Sequence, residues 1–475
     1  MRRLIRNTIF MALFGVIARA SGLIRYIFLV TFLTDAQFGV LKLATDIGGV
    51  GRAFMDGGLD QLVSRDGARY PDRLDRFFWT AFIIKVLFAI VFMVISPFVL
   101  LRFMTPYQVG VAMIYTGFVV ALSLAGIVRS LFTALERMEY VFYTNAPSRI
   151  VGLAVVFCVL AVGAPLGVVA AGMGLENVLW LVFLLIPLVR FVPLGWPRAT
   201  LAEARWMVSE SWPMALYGFF TTLYLRLDTL MLKWLLPPGL AIENVGVYGK
   251  AQYPIEGISL LLTGYVIAVF PVFSRLQLED REAFASLFRR SALLLAGITL
   301  PLSILLGGWA DDWLSLFPNK SPGSVPILSI LAMALNFSLL NVFLITIFTA
   351  CDRQRWLVLF TFLTVAVSFL SNLVMIPIFG NQGAAFASLG SQAFLFAVML
   401  ATLWAEVGIA PPIGGWVGLL VSANVAALLC FWLLPPGWVL FLPFPFLACY
   451  GVFVFVLGVV KREDIRHLRR ALRER

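Results

Sequence analysis

Ionisable side chains recur inside stretches that are otherwise apolar, at Arg25, Lys42, Asp46, Arg52, Asp56, Asp60, Lys85, Arg226, Asp228, Lys250 and Glu256. A charge within a bilayer is costly, so such residues face a cavity or a partner. Guanidinium groups bind phosphate oxygens bidentately, and an ammonium acts as a compact point charge. Arg25, Arg52, Arg226, Lys250 and Lys42 are therefore candidates to hold an anionic head group. Asp46, Asp56, Asp60, Asp228 and Glu256 are candidate charge partners or coupling groups for a driving ion. On a continuous helix Lys42, Asp46, Gly49, Ala53, Asp56 and Asp60 share one face, with Arg52 at its edge. That face is expected to look into a watery cavity or towards the other half of the protein. Arg226 and Asp228 lie two residues apart and must point in opposing directions. Arg226 aligns with Thr222, Thr229 and Lys233, whereas Asp228 is expected to meet a neighbouring helix. Lys85 stands alone, close enough to the end of its span to snorkel. Asn336, Asn341, Ser368, Asn372, Ser388 and Gln392 read chiefly as interhelical hydrogen-bonding groups.

Membrane-spanning helices must position these groups. Of 475 residues, 61% are hydrophobic and 13% charged, about half the charge of a soluble domain. Apolar runs of the roughly 20 residues that a span needs recur from end to end, leaving no room for a separate soluble domain. Hydropathy predicts fourteen spans, at 8–32, 37–62, 77–101, 108–131, 145–164, 168–192, 212–235, 244–273, 285–308, 324–350, 356–378, 383–405, 414–434 and 439–460. The second and eighth are the most polar. Basic residues concentrate in alternate connections and at both ends, while the other side carries Arg102 and Lys320. By the positive-inside rule both termini are cytoplasmic and the span number is even. Residues 1–22 read as an uncleaved helix rather than a removable signal. The net charge of +11 is explained by orientation and by anionic membrane lipid, with no nucleic-acid partner implied. In the tail, 461–475, Ile465, Leu468 and Leu472 form an apolar stripe among basic residues, an interfacial amphipathic helix. The four cysteines have no paired spacing, and the only histidine is His467. No disulfide framework, His-based metal site or cofactor is expected.

The chain repeats itself. Phe132-Thr133-Ala134-Leu135-Glu136-Arg137 resembles Phe348-Thr349-Ala350-Cys351-Asp352-Arg353, and Gly167-Val168-Val169-Ala170-Ala171 resembles Gly383-Ala384-Ala385-Phe386-Ala387. Gly39-Val40-Leu41 pairs similarly with Gly246-Val247-Tyr248. The expected fold is all-α and polytopic, with two pseudo-symmetric six-helix lobes, 1–205 and 206–408, followed by two helices in 409–460. Equivalent connections fall on the same side, so the repeat is parallel, a transporter plan with substrate held between the halves.

The sequence resembles the polysaccharide or O-antigen (Wzx-type) flippases of the multidrug/oligosaccharidyl-lipid/polysaccharide exporter superfamily. The resemblance rests on Phe38-Gly39, Arg226 with Asp228, Val245-Gly246-Val247-Tyr248 with Ala251, and Asn372, Pro377 and Gly380 leading into Gly383-Ala384-Ala385. It implies alternating access around a cationic cavity in a bacterial inner membrane. The implied substrate is an oligosaccharide on a polyprenyl pyrophosphate, moved from the cytoplasmic to the outer leaflet under an ion gradient or membrane potential. It also implies a groove for the lipid tail at the last two helices and a partnership with polysaccharide polymerase machinery. A Walker-type loop is absent from the sequence. Three alternatives compete with this reading. A drug or cation antiporter would want an acidic, aromatic cavity. A lipid II flippase would also want cations. A glycan polymerase or ligase would need a sizeable outer loop, whereas the longest here, about 309–323, offers only Asp311, Asp312 and Lys320 as charged groups.

Overall fold

A computed structural model of the protein describes residues 2–192, 195, 199–317, 319–433 and 443–456. Among these residues every regular element is helical. The first half contains α1 (Arg2–Phe32), α2 (Asp35–Asp56), α3 (Leu59–Arg69), α4 (Leu74–Leu100), α5 (Pro106–Ala134), α6 (Met138–Ala161) and α7 (Leu166–Phe191). There follow α8 (Leu201–Leu235), α9 (Pro238–Glu279), α10 (Arg281–Gly308), the short α11 (Ala310–Ser315) and α12 (Ser324–Ala350). The last are α13 (Gln354–Phe379), α14 (Asn381–Val407), α15 (Ile413–Leu433) and α16 (Pro443–Val456).

With the short α3 and α11 set aside, these sixteen helices leave the fourteen expected. By length and apolar character alone, ten could cross a membrane, or eleven when the two arms of α9 count as one span. The others are α2 and α8, whose charges lower their hydropathy, and α16, with 14 described residues. The amphipathic tail at 461–475 lies outside the described residues.

Starts and stops follow local chemistry. Thr34 caps α2 in a capping box with Gln37, Thr105 caps α5 with Gln108, and Thr200 caps α8 with Glu203. One of the paired segments has the same backbone turn in both places. Glu136 and Asp352, which occupy equivalent positions, both have φ 55° and are the only non-glycine residues described with positive φ. In the first copy the next residue, Arg137, donates its N–H to Phe132 O at 2.9 Å. In the second copy Arg353 N–H donates to Phe348 O, also at 2.9 Å.

The chain divides into two compact units, Met1–Tyr253 with Thr361–Ala384, and Pro254–Phe360 with Ala385–Arg475. Compactness thus breaks within α9, whereas the 205/206 division rests on the repeat. In the first unit α5 packs on α2 and α7, α6 on α1 and α7, and α2 on α8. Its core includes Phe77, Phe78, Phe132, Trp180 and Leu184. In the second unit α10 packs on α12 and α15, and α15 on α16. Phe288 stacks on Phe343 there, and Tyr450 donates to Gly297 O. Asn336 donates to Ser303 Oγ at 2.7 Å and Asn341 to Gln392 Oε1 at 2.8 Å, the interhelical role expected of them. The Pro238–Val266 arm of α9 meets Val269–Glu279 at a 41° bend.

The second predicted span, 37–62, is not continuous. It breaks at Gly57 and Gly58, whose φ values of 51° and 72° only glycine adopts without strain. Asp60 therefore belongs to α3, and the single polar face expected from Lys42 to Asp60 is divided between two sets of partners.

Candidate substrate site

The charges of the first unit meet in clusters that share one design, a central ion held by two of opposite sign. At the first cluster, Asp46 Oδ1 accepts from Lys42 Nζ, one helical turn away, at 3.0 Å and from Arg226 Nη1 on α8 at 2.9 Å. Lys42 and Asp46 are fully buried at the side chain, while Arg226 remains 27% exposed. Of the two surroundings expected for this face, water or the other half of the protein, Asp46 meets the second, because Arg226 lies on α8, in the expected second lobe. Asp46 Oδ2 is buried without a hydrogen-bond partner. Arg226 passes over Gly49, where an added Cβ would lie 3.7 Å from its Nε.

At the second cluster, Lys85 from α4 donates to Asp56 Oδ1 at 2.9 Å, Asp60 Oδ1 at 2.6 Å and Ser123 O at 3.1 Å. Its side chain is fully buried. Lys85 does not snorkel, because two carboxylates flanking the Gly57–Gly58 break hold it inside. Arg129 of α5 approaches Asp60 at 3.9 Å. Gly126 makes the space, since a Cβ there would collide with Asp60. Arg52, one turn before Asp56, is half-buried and has no hydrogen bond or ion pair among the described residues.

A third cluster is one that sequence reasoning missed. Arg25 of α1 and Arg149 of α6 both reach Glu176 of α7. Hydropathy starts the fifth span at 145 and so leaves Arg149 at its margin. With α6 beginning at Met138, Arg149 stands near the middle of the helix. Of the remaining candidates, Lys250 pairs with Asp35 at 2.6 Å and is nearly buried. Its backbone carbonyl accepts from Tyr26 OH at 2.6 Å. Asp228 meets neighbouring helices as expected, accepting from Tyr248 OH and from Asn372 Nδ2, each at 2.8 Å. Glu256 is half-buried and belongs to the second unit.

Aromatic rings border the cations. Tyr26 stacks on Tyr253 at 5.0 Å, Lys42 Nζ lies 5.4 Å from the centre of the Tyr253 ring, and Lys250 Nζ lies 6.0 Å from that of Phe38.

Two tight crossings bracket this region of α2 and α3. At one end Gly39 meets α9. A Cβ at Gly39 would collide with Ile242 O and lie 3.0 Å from Gly246 N. A Cβ at Gly246 would collide with Asp35 O and lie 3.1 Å from Gly39 N. The contact is reciprocal, between the two copies of the repeat. At the other end a Cβ at Gly58 would lie 2.8 Å from Ser211 O and 2.9 Å from Ala215 N on α8. Arg65 of α3 pairs there with Glu210 at 2.9 Å. Lys42, Asp46, Gly49 and Arg52 lie along the stretch between.

The site is thus a set of charged clusters held inside otherwise apolar helices of the first unit. The sequence profile of the polysaccharide biosynthesis protein family matches residues 4–277, more than half of the chain, and the protein belongs to that family. No match to a curated protein sequence was found. The fold is similar to that of the lipid II flippase MurJ in an inward closed conformation, with TM-score 0.75 and 12% identity over 94% of this chain and 98% of that one. It is also similar to an inward-facing multidrug resistance MATE family transporter of the MOP superfamily, with TM-score 0.63 and 14% identity over 82% and 94% of the chains. A MOP superfamily transporter from Pyrococcus furiosus, described as having a binding pocket of reverse polarity, gives TM-score 0.59 and 13% identity over 86% and 95%. These fold relatives are a flippase and transporters rather than enzymes.

Proposed function

We propose that the protein is a flippase for polyprenyl-pyrophosphate-linked oligosaccharide, carrying it from the cytoplasmic to the outer leaflet of a bacterial inner membrane by alternating access. The observation that carries this reading is the set of Arg25, Lys42, Arg52, Arg226 and Lys250 on the helices of one unit, two of which, Lys42 and Arg226, converge on the same Asp46 oxygen. An anionic pyrophosphate or acidic sugar is the substrate chemistry that such a set of cations suits. Membership of the polysaccharide biosynthesis family supports a glycan, with O-antigen as the leading case. The lobes are 1–205 and 206–408, both termini face the cytoplasm, and the helices of 409–460 offer a path for the lipid tail. Asp46, Asp56, Asp60, Asp228 and Glu256 are the candidates for coupling to an ion gradient or membrane potential, and polysaccharide polymerase machinery is the expected downstream partner.

Replacement of Arg25, Arg52, Arg226 and Lys250 singly by Ala, with surface glycan and protein level followed in cells, tests the proposal. Loss of export is expected for the replaced cations. Normal export at normal protein level in all four would sink it. The second reading, a lipid II-type substrate, is favoured by the fold similarity to MurJ across nearly the full chain. Rescue of cells depleted of their lipid II flippase would select it over the glycan reading.

A further inference from the structure

Three charges meet where α6 packs on α1 and α7, Arg149 and Glu176 near the middle of their helices and Arg25 in the C-terminal third of α1. A single oxygen, Oε1 of Glu176, accepts from Arg25 Nη1 at 2.8 Å and from Arg149 Nη1 at 3.4 Å. Arg149 is steadied by donating from Nε to Asn145 Oδ1 at 3.1 Å and from Nη1 to Ser21 Oγ at 3.4 Å. Gly152 on α6 makes the room that Glu176 occupies. A Cβ there would lie 2.7 Å from the Glu176 Cβ and 3.3 Å from its Oε2. The side chains of Arg25, Arg149 and Glu176 remain 20%, 18% and 10% exposed, so the cluster is covered but not sealed.

Two guanidiniums converge here on one anionic oxygen, and the cluster keeps a net positive charge. A carboxylate that served only to neutralise Arg25 would leave no role for the second cation, which brings its own positioning bonds. A phosphate offers several anionic oxygens and can satisfy both guanidiniums more fully than the one shared oxygen of Glu176.

We infer that Glu176 is a displaceable internal counter-anion, standing on Arg25 and Arg149 where an anionic oxygen of the transported head group, phosphate or sugar carboxylate, takes its place. The inference rests on the head-group reading above and adds Arg149 and Glu176 to it as specificity-determining residues. A tethered carboxylate competes at an effective concentration in the millimolar range or above. Small monoanions such as chloride are therefore kept off the guanidiniums, while a multiply charged head group displaces it. With Glu176 in place the substrate-free carrier is partly neutralised at this depth, which lowers the cost of reorienting empty.

The test is binding of farnesyl pyrophosphate to the full-length protein in lipid nanodiscs, with inorganic pyrophosphate and uncharged farnesol as parallel probes. Glu176→Gln should tighten farnesyl pyrophosphate roughly tenfold, the size of one charge-assisted hydrogen bond released from competition. Arg149→Gln should weaken it by a similar factor, and in that background Glu176→Gln should still tighten binding, because its carboxylate also stands on Arg25. If Glu176→Gln does not fold, Glu176→Asp, which withdraws the carboxylate by one methylene, should tighten binding by a smaller factor. Binding by the wild type that is unchanged or weakened in the folded Glu176 variant overturns the counter-anion role and leaves the head-group reading standing. Failure of the wild type to bind farnesyl pyrophosphate, or equal binding of farnesol, overturns the head-group reading itself. Inorganic pyrophosphate that binds as tightly as the lipid places recognition wholly in the head.

Discussion

Gly39→Ala should shift the protein away from the arrangement seen here. The added methyl collides with Ile242 O, lies 3.1 Å from the Ile242 carbonyl carbon and 3.0 Å from Gly246 N. All three are backbone atoms of α9, which cannot rotate aside as a side chain can. Ordinary contact requires the two helices to part by roughly 1 Å, and overpacking of this kind costs about 1–3 kcal/mol. If transport requires α2 and α9 to separate at this crossing, that cost falls on the closed arrangement alone. The ratio of parted to closed molecules then rises about 5- to 150-fold. Val245, beside the crossing, is fully buried. In a background lacking Cys158, Cys351, Cys430 and Cys449, a cysteine introduced at Val245 should react with a membrane-impermeant maleimide by a similarly larger factor when Gly39→Ala is present. Gly246→Ala should act in the same direction, because its methyl meets Asp35 O. Unchanged reactivity in both variants, with folded protein at normal level, would refute the claim that this crossing parts during the cycle.

Lys85→Ala leaves Asp56 and Asp60 facing each other without their ammonium, and loss of one partner of a buried pair costs about 3–5 kcal/mol. A fall in melting temperature in detergent should follow, with partial recovery when Asp56→Asn and Asp60→Asn are added. Asp46→Asn removes the carboxylate shared by Lys42 and Arg226, so melting should fall while an anionic head-group analogue restores more stability than it gives the wild type.

The long elements and the internal repeat are legible in the sequence because each rests on a pattern within the chain. Apolar length marks most spans, and the copy at Glu136 and Asp352 carries into matching backbone geometry. Asp228 can be directed to a neighbour because its spacing from Arg226 forbids a shared face. The Gly57–Gly58 pair is a breaker signal, but the strong polar periodicity across it favours a continuous helix. Arg149 lies at the margin of an apolar window, and moving the helix start from 145 to 138 carries it from an edge to mid-span. Glu176 carries the same signal as the other candidates, an acidic side chain inside the predicted span 168–192, but nothing in the sequence names its partners. Its partners are 151 and 27 residues away, and only helix packing brings them together. Lys85 looks solitary in the sequence for the same reason, since its carboxylates are supplied by α2 and α3.

The reciprocal glycine contact bears on how such a chain could have arisen. Gly39 meets Ile242 and Gly246 meets Asp35, so each patch touches the equivalent of its own surroundings in the other copy. That is the signature of an isologous interface, in which one surface is complementary to itself. A half-length precursor bearing the Gly39 patch could have made the same contact between two identical subunits, before gene fusion joined them. One glycine would then have served both sides of a homodimer. Joined in one chain, the two positions can vary separately, yet the packing of this crossing demands a glycine at each.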